Sequence, residues 1–269
     1  MFKTRLLSGI ILVLVALLTI GQGGYVLFFT LLAVSVIGMN EFYRAAGVHK
    51  EHYTALELIS YFGAAVYYGS LLWRDGNYRS EAMMLVLVLI MTVYVFGYPK
   101  YESTQIMAAM FGFVYVAVML SYIWKTRMLP SGVFDVWLIF LCSWGCDTCA
   151  YCVGMLIGKH KMSPKLSPKK SVEGAIGGVV GSALLTALYC FIFRSQMNLT
   201  GTEIGILTVI AAIAGLISMV GDLTASAIKR FFDIKDYGHL IPGHGGIMDR
   251  FDSMIITAPI IYFLAYHFI

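Results

Sequence analysis

Asp222, Ser226 and Lys229 follow one another at i, i+4 and i+7 within Gly221-Asp222-Leu223-Thr224-Ala225-Ser226-Ala227-Ile228-Lys229-Arg230. On a helix that spacing places the three side chains in one polar stripe. A carboxylate and an ammonium on an otherwise apolar helix each cost about 2.5–3.5 kcal/mol at a bilayer centre, so such groups normally face a cavity or a site. An Asp222–Lys229 ion pair is the plain structural explanation, but it leaves the second acidic cluster without a role. That cluster is Asp249, Arg250 and Asp252, directly after Pro242-Gly243-His244-Gly245-Gly246. Glycines admit positive φ and close backbone approach, and successive N–H groups in such a turn form an anion-binding nest. Gly245 and Gly246 are therefore expected to meet phosphate, with His244 either touching it or capping the turn. Mg²⁺ takes one or two carboxylates and completes its shell with water and substrate phosphates; Asp222 and Asp249 can supply that pair. Arg230 and Arg250 add cations beside the two acidic groups, where substrate phosphates are expected.

A basic loop from Lys159 to Glu173 holds five lysines. Lys159, Lys161 and Lys165 suit a solvated surface that attracts anionic headgroups, at about 1 kcal/mol per lysine. Lys169, Lys170 and Ser171 instead stand beside Glu173-Gly174, where a helix is expected to begin and to offer further donors to phosphate oxygens. Asp147 lies inside an apolar run with Tyr151 one turn later on the same face. An intramembrane ionisable residue is a functional candidate, the alternative being an aspartate satisfied by neighbouring hydroxyls. Cys142, Cys146, Cys149, Cys152 and Cys190 invite a metal reading by their spacing, yet they sit in helical apolar runs without the compact loop a zinc site needs. They read as small buried hydrophobes. Asp75, Glu81, Glu102, Asp135 and Glu203 fall at the ends of apolar runs, where solvation suffices, and Tyr67, Tyr68, Trp73 and Trp124 suit interfacial belts.

The elements that must carry these residues are membrane spans. The 269 residues are 59% hydrophobic and only 13% charged, with a mean hydropathy of +0.80, which excludes an ordinary water-soluble domain. Apolar runs at 6–20, 25–40, 56–72, 82–98, 104–124, 133–157, 174–193, 203–228 and 251–269 predict an all-α polytopic bundle of about nine transmembrane helices. Lys3 and Arg5 before the first run resemble a secretory leader, but no small-residue cleavage pattern follows, and Gly21-Gln22-Gly23-Gly24 reads as a tight turn into a second span. With the N-terminus cytoplasmic, 14 of the 19 Lys and Arg residues fall on the inner side, as the positive-inside rule asks. The net charge of +4 then reports inner loops and anionic headgroups rather than a nucleic-acid partner. Residues 1–130 hold about five spans, while 131–269 hold nearly every polar group suited to chemistry, so the site is expected at the cytoplasmic ends of the last four helices.

The stretch Ser226 to Asp252 resembles the motif of the phosphatidate cytidylyltransferase family, also called CDP-diglyceride synthases. Ser167-Pro168-Lys169-Lys170-Ser171-Val172-Glu173-Gly174 is similar to that family's basic loop, and Asp147-Thr148-Cys149-Ala150-Tyr151 to a further motif. The resemblance covers roughly residues 140–269 by motif and the first half by hydropathy alone. Ala225 departs from the acidic residue that commonly precedes the serine, and Gly154-Met155 from a glycine followed by a basic residue. The resemblance implies a cell-membrane enzyme that condenses CTP with phosphatidate to CDP-diacylglycerol and pyrophosphate, with Mg²⁺ as cofactor. It casts Asp147, Asp222, Ser226, Lys229 and Asp249 as catalytic, Ser226 as a hydrogen-bond donor. A CTP-dependent kinase for a polyprenol or phytol is the competing enzyme. A secondary transporter would show paired halves, whereas the polar groups here gather in one half. Homo-oligomerisation is left open by the sequence.

Overall fold

Residues 2–49, 52–73 and 76–268 are described by a computed structural model; Lys50, Arg74 and Asp75 lie outside the described residues, as do the side chains of Lys3 and Arg5. Among the described residues the chain forms nine continuous helices: α1 (Phe2–Gln22), α2 (Gly24–Ala45), α3 (Ala55–Leu72), α4 (Arg79–Phe96), α5 (Ser103–Arg127), α6 (Gly132–Ile157), α7 (Val172–Ile192), α8 (Gly201–Phe231) and α9 (Met248–Phe268). Seven, α2 to α8, are long and apolar enough to cross a bilayer. The shorter apolar stretch of α1 is Leu7–Gln22, and α9 opens on Asp249, Arg250 and Asp252. The chain is a multi-pass helical membrane protein. Large apolar side chains such as Phe96, Leu156 and Phe191 point outward along the helices, as lipid permits.

The chain divides into two compact units, Met1–Trp124 with Phe232–Arg250, and Lys125–Phe231 with Phe251–Ile269. In the first, α1 turns into α2 through Gly23 and Gly24, both at positive φ, the tight turn expected there. Its core is unusually rich in tyrosine. Tyr67 and Tyr68 are buried rather than interfacial: the Tyr68 hydroxyl lies 2.9 Å from Ser35 Oγ, and an aromatic body with a satisfied hydroxyl is a good core residue. Trp73 is exposed, as the interfacial reading expects. Thr54 and Glu57 form a reciprocal capping box at the start of α3.

In the second unit α6, α7 and α8 pack through small residues. A Cβ on Gly177 would overlap Val153, one on Gly181 would overlap Cys149, and one on Gly215 would overlap Ser182. Such positions let helix backbones approach closely in lipid. All five cysteines are free; Cys142, Cys146 and Cys190 are buried as expected, whereas Cys152 is exposed. Asp135 is also not the solvated end residue expected: it is fully buried and receives a hydrogen bond from Ser131 Oγ. The α6 helix widens to i→i+5 bonding over Leu141–Gly145. Such insertions often lie at functional sites, and Asp147 follows within the next turn.

Candidate active site

The second unit gathers its polar residues from four elements. Between α6 and α7 the basic loop forms an antiparallel hairpin, β1 (Lys161–Ser163) against β2 (Ser167–Ser171), with Lys161 opposite Ser171 and Ser163 opposite Ser167. Glu173 ties its base: the carboxylate accepts from Lys159 N at 3.0 Å and His160 N at 3.2 Å, and lies 2.5 Å from His160 Nδ1. Ser171 is the N-cap of α7, its Oγ accepting from Gly174 N at 3.1 Å. That bond places Ser171 in the scaffold rather than in the set of free phosphate donors. Gly158 is packed so tightly that a Cβ there would overlap both the Gly154 carbonyl and Ser171 Oγ.

The cap fixes where β2 ends, and with it the two lysines before it. Lys169 is exposed. Lys170 is half-buried and its ammonium forms an ion pair with Asp222 of α8, which is buried to a similar degree. The partner of Asp222 is thus a lysine of the hairpin and not Lys229 on its own helix. Ser226 is buried one turn after Asp222, and Lys229 is partly exposed. Arg230 is exposed, its Nε 3.5 Å from the Leu166 carbonyl. The stripe read from the spacing therefore exists on one continuous helix.

Asp252 on α9 lies within the electrostatic reach of Asp222, Asp147 and Lys229. Its Oδ1 accepts from Ser253 N at 2.7 Å, while Ser253 Oγ donates to Asp147 Oδ2 at 3.0 Å. Asp252 of α9 thus feels the carboxylates of α6 and α8, Asp147 and Asp222, and the ammonium of Lys229, while Lys170 pairs with Asp222. Carboxylate oxygens of this kind are donors for a hard cation. Among the described residues no three His, Cys, Asp or Glu groups converge as a protein-only cage. Mg²⁺ does not ask for one, because water and substrate phosphates fill most of its shell, so the donor set fits.

The glycine turn belongs to the first unit. Gly243 and Gly245 both have positive φ, 78° and 83°, and Ile241 N donates to Gly245 O at 2.9 Å. Ser8 of α1 lies 2.7 Å from His244 Nδ1, and its Oγ donates to the Pro242 carbonyl at 3.1 Å; this holds the ring in place. The nest expected for phosphate already serves the protein's own carboxylates. Gly246 N donates to Asp249 Oδ2 at 3.0 Å, as does Tyr237 N at 2.9 Å. Ile247 N and Met248 N donate to Glu41 of α2. Asp249 is buried and Arg250 partly so. Glu41 was missed at the sequence level, where it is one acid near the end of an apolar run with Arg44 one turn later; an ionisable residue within an apolar helix is the signal that could have found it.

The model of the cytidylyltransferase family matches residues 3–268. A phosphatidate cytidylyltransferase from Staphylococcus saprophyticus is 30% identical over 267 residues, covering 97% of this chain and 98% of that protein. One from Staphylococcus epidermidis is 28% identical with the same coverage. One from Bacillus subtilis is 29% identical over 191 residues, covering 71% of this chain and 69% of that protein.

Proposed function

The chain belongs to the cytidylyltransferase family, and we propose that it transfers the cytidylyl group of CTP to phosphatidate, releasing pyrophosphate and leaving CDP-diacylglycerol in the membrane. The observation that carries this reading is the Lys170–Asp222 pair, set among Asp147, Asp252 and Lys229 in a chain similar over nearly its full length to phosphatidate cytidylyltransferases. In the transfer a phosphate oxygen of phosphatidate attacks the α-phosphorus of CTP. The new O–P bond forms as the bond to the bridging α,β-oxygen breaks, and the electron pair leaves with pyrophosphate. A phosphate monoester is nucleophilic at neutral pH, so no serine nucleophile or general base is needed.

Both reactants are polyanions, and the residues of the site serve mainly to neutralise repulsion and to hold attacking and leaving oxygens in line. Lys170 exchanges Asp222 for a phosphate oxygen, a charge-assisted bond. Lys229 and Arg230, the latter exposed at the end of α8, receive charge that develops on the leaving group. Lys169, Arg250 and His244 are further phosphate contacts in this reading, and Ser226 donates a hydrogen bond. Asp222 and Asp252 would hold Mg²⁺, which when bound supplies charge neutralisation and orientation of the triphosphate, and Asp249 is a further carboxylate candidate for a cation. The site faces the cytoplasm, where CTP is found and where the lysine-rich hairpin is placed by the positive-inside rule.

The test is pyrophosphate release by purified protein in mixed micelles of phosphatidate, CTP and Mg²⁺. Release that requires phosphatidate supports the proposal. Release of CDP in its place, with a polyprenol or phytol as acceptor, would transfer the chain to the lipid kinases.

A further inference from the structure

Glu41 stands near the end of α2 and is 6% exposed. A buried carboxylate on an apolar helix is costly unless its oxygens are hydrogen-bonded, and both oxygens of Glu41 are. Ile247 N donates to Oε1 at 3.0 Å and Met248 N to Oε2 at 2.9 Å. These are among the first N–H groups of α9, which have no partner within the helix, and an anion there also meets the positive end of the helix dipole. The cap of α9 thus comes from α2, far away in sequence, and not from the residue that precedes the helix.

The surroundings are close-packed, with the charged groups of Arg44 and Asp249 nearby. A Cβ on Gly246 or on Gly238 would overlap the Glu41 carboxylate, and one on Gly38, a turn earlier on α2, would come within 2.9 Å of Val116 and into contact with Met248. Asp249 holds the same turn from its other side by accepting from Gly246 N and Tyr237 N. Gly246 to Asp249 is therefore a short backbone segment clamped by two carboxylates.

We propose that Glu41 is a positioning residue of the cytidylyl transfer: from α2 it caps α9 and so fixes the backbone that presents Asp249 and Arg250. The inference rests on the functional reading above. Glu41→Gln is nearly isosteric; it keeps one acceptor and turns an NH₂ group toward the other N–H. Three quantities are measured on the purified variant, namely kcat and KM, the Mg²⁺ concentration for half-maximal turnover, and amide exchange of peptides covering Ile247 and Met248. The expected result is a fall in kcat of about tenfold or more, the scale of one lost charged hydrogen bond, together with a raised Mg²⁺ requirement and faster exchange. A purely structural role would lower the yield of folded enzyme without moving kcat or the Mg²⁺ requirement of the folded fraction. Folded Glu41→Gln with wild-type kcat and Mg²⁺ dependence overturns the proposal. Should Glu41→Gln not fold, Gly238→Ala is put through the same measurements with the same two outcomes, because its Cβ must push the carboxylate off its donors. Wild-type protein that makes no CDP-diacylglycerol sinks the transfer reading, whereas unchanged amide exchange in the variant sinks the cap.

Discussion

At the scale of residues, the central pair is Asp222 with Lys170. An isolated charge on an apolar helix would be expensive, and the pair allows both to be held ready. Replacing Asp222 by Asn keeps the shape and removes the charge that balances Lys170 and that, in the proposed reading, holds the cation. Turnover should fall more than about 100-fold, the scale of removing one preorganised electrostatic contributor, and high Mg²⁺ should restore part of it. Asp249→Asn and Asp252→Asn should each raise the Mg²⁺ requirement; a wild-type Mg²⁺ titration for either variant would remove that residue from the proposed cation ligands. Lys170→Ala should raise the KM for CTP or phosphatidate by roughly tenfold, one charged hydrogen bond, with normal expression. Unchanged kinetics would reduce the hairpin to a headgroup-attracting surface. The candidates Asp147, Asp222, Ser226 and Lys229 were legible because polar groups stand out against apolar helices. The partner of Asp222 was not, since helical spacing points to Lys229 while the hairpin that delivers Lys170 is a tertiary feature. Gly246 likewise looked like a phosphate donor, because nothing local reveals that Asp249 accepts from its N–H.

At the scale of elements, the hairpin and the start of α7 act as one joint. Glu173 closes the base of the hairpin, Ser171 caps the helix, and Gly158 leaves room for both. Ser171→Ala should lose a cap worth about 1 kcal/mol, seen as a lower thermal midpoint, while the KM for CTP stays near wild type. A KM increase without loss of stability would instead make Ser171 a substrate contact. Gly158→Ala should be more severe, because one of the two groups it strikes is the Gly154 backbone carbonyl, which cannot swing away. The sequence showed a basic loop ahead of a helix. The pairing of Lys161 with Ser171 was hidden because proline and lysine are poor strand formers, and the cap and Glu173 override that preference. On α9 the reverse holds: the acidic start was plain, while its cap on α2 was not.

At the scale of the molecule, hydropathy alone marked out the helices, since a bilayer leaves the backbone no alternative in an apolar run. What hydropathy cannot show is that residues Phe232–Arg250 join the N-terminal helices in one compact unit, because that depends on Glu41 and Ser8 meeting a distant turn. The proposed orientation rests on charge: with the N-terminus cytoplasmic, 14 of the 19 Lys and Arg residues fall on the inner side. A cysteine placed at the exposed Lys165, with Cys149 and Cys152 replaced, should be labelled by an impermeant reagent in inside-out vesicles and not in intact cells. The reverse pattern would invert the topology and move the site to the outer face. The most direct measurement of the central claim follows the two ends of the CTP triphosphate through one turnover on phosphatidate. With label on the α-phosphorus, radioactivity should enter the lipid phase as CDP-diacylglycerol; with label on the γ-phosphorus, it should leave in pyrophosphate. Label from the γ-position appearing in lipid, with CDP in the aqueous phase, would contradict the account.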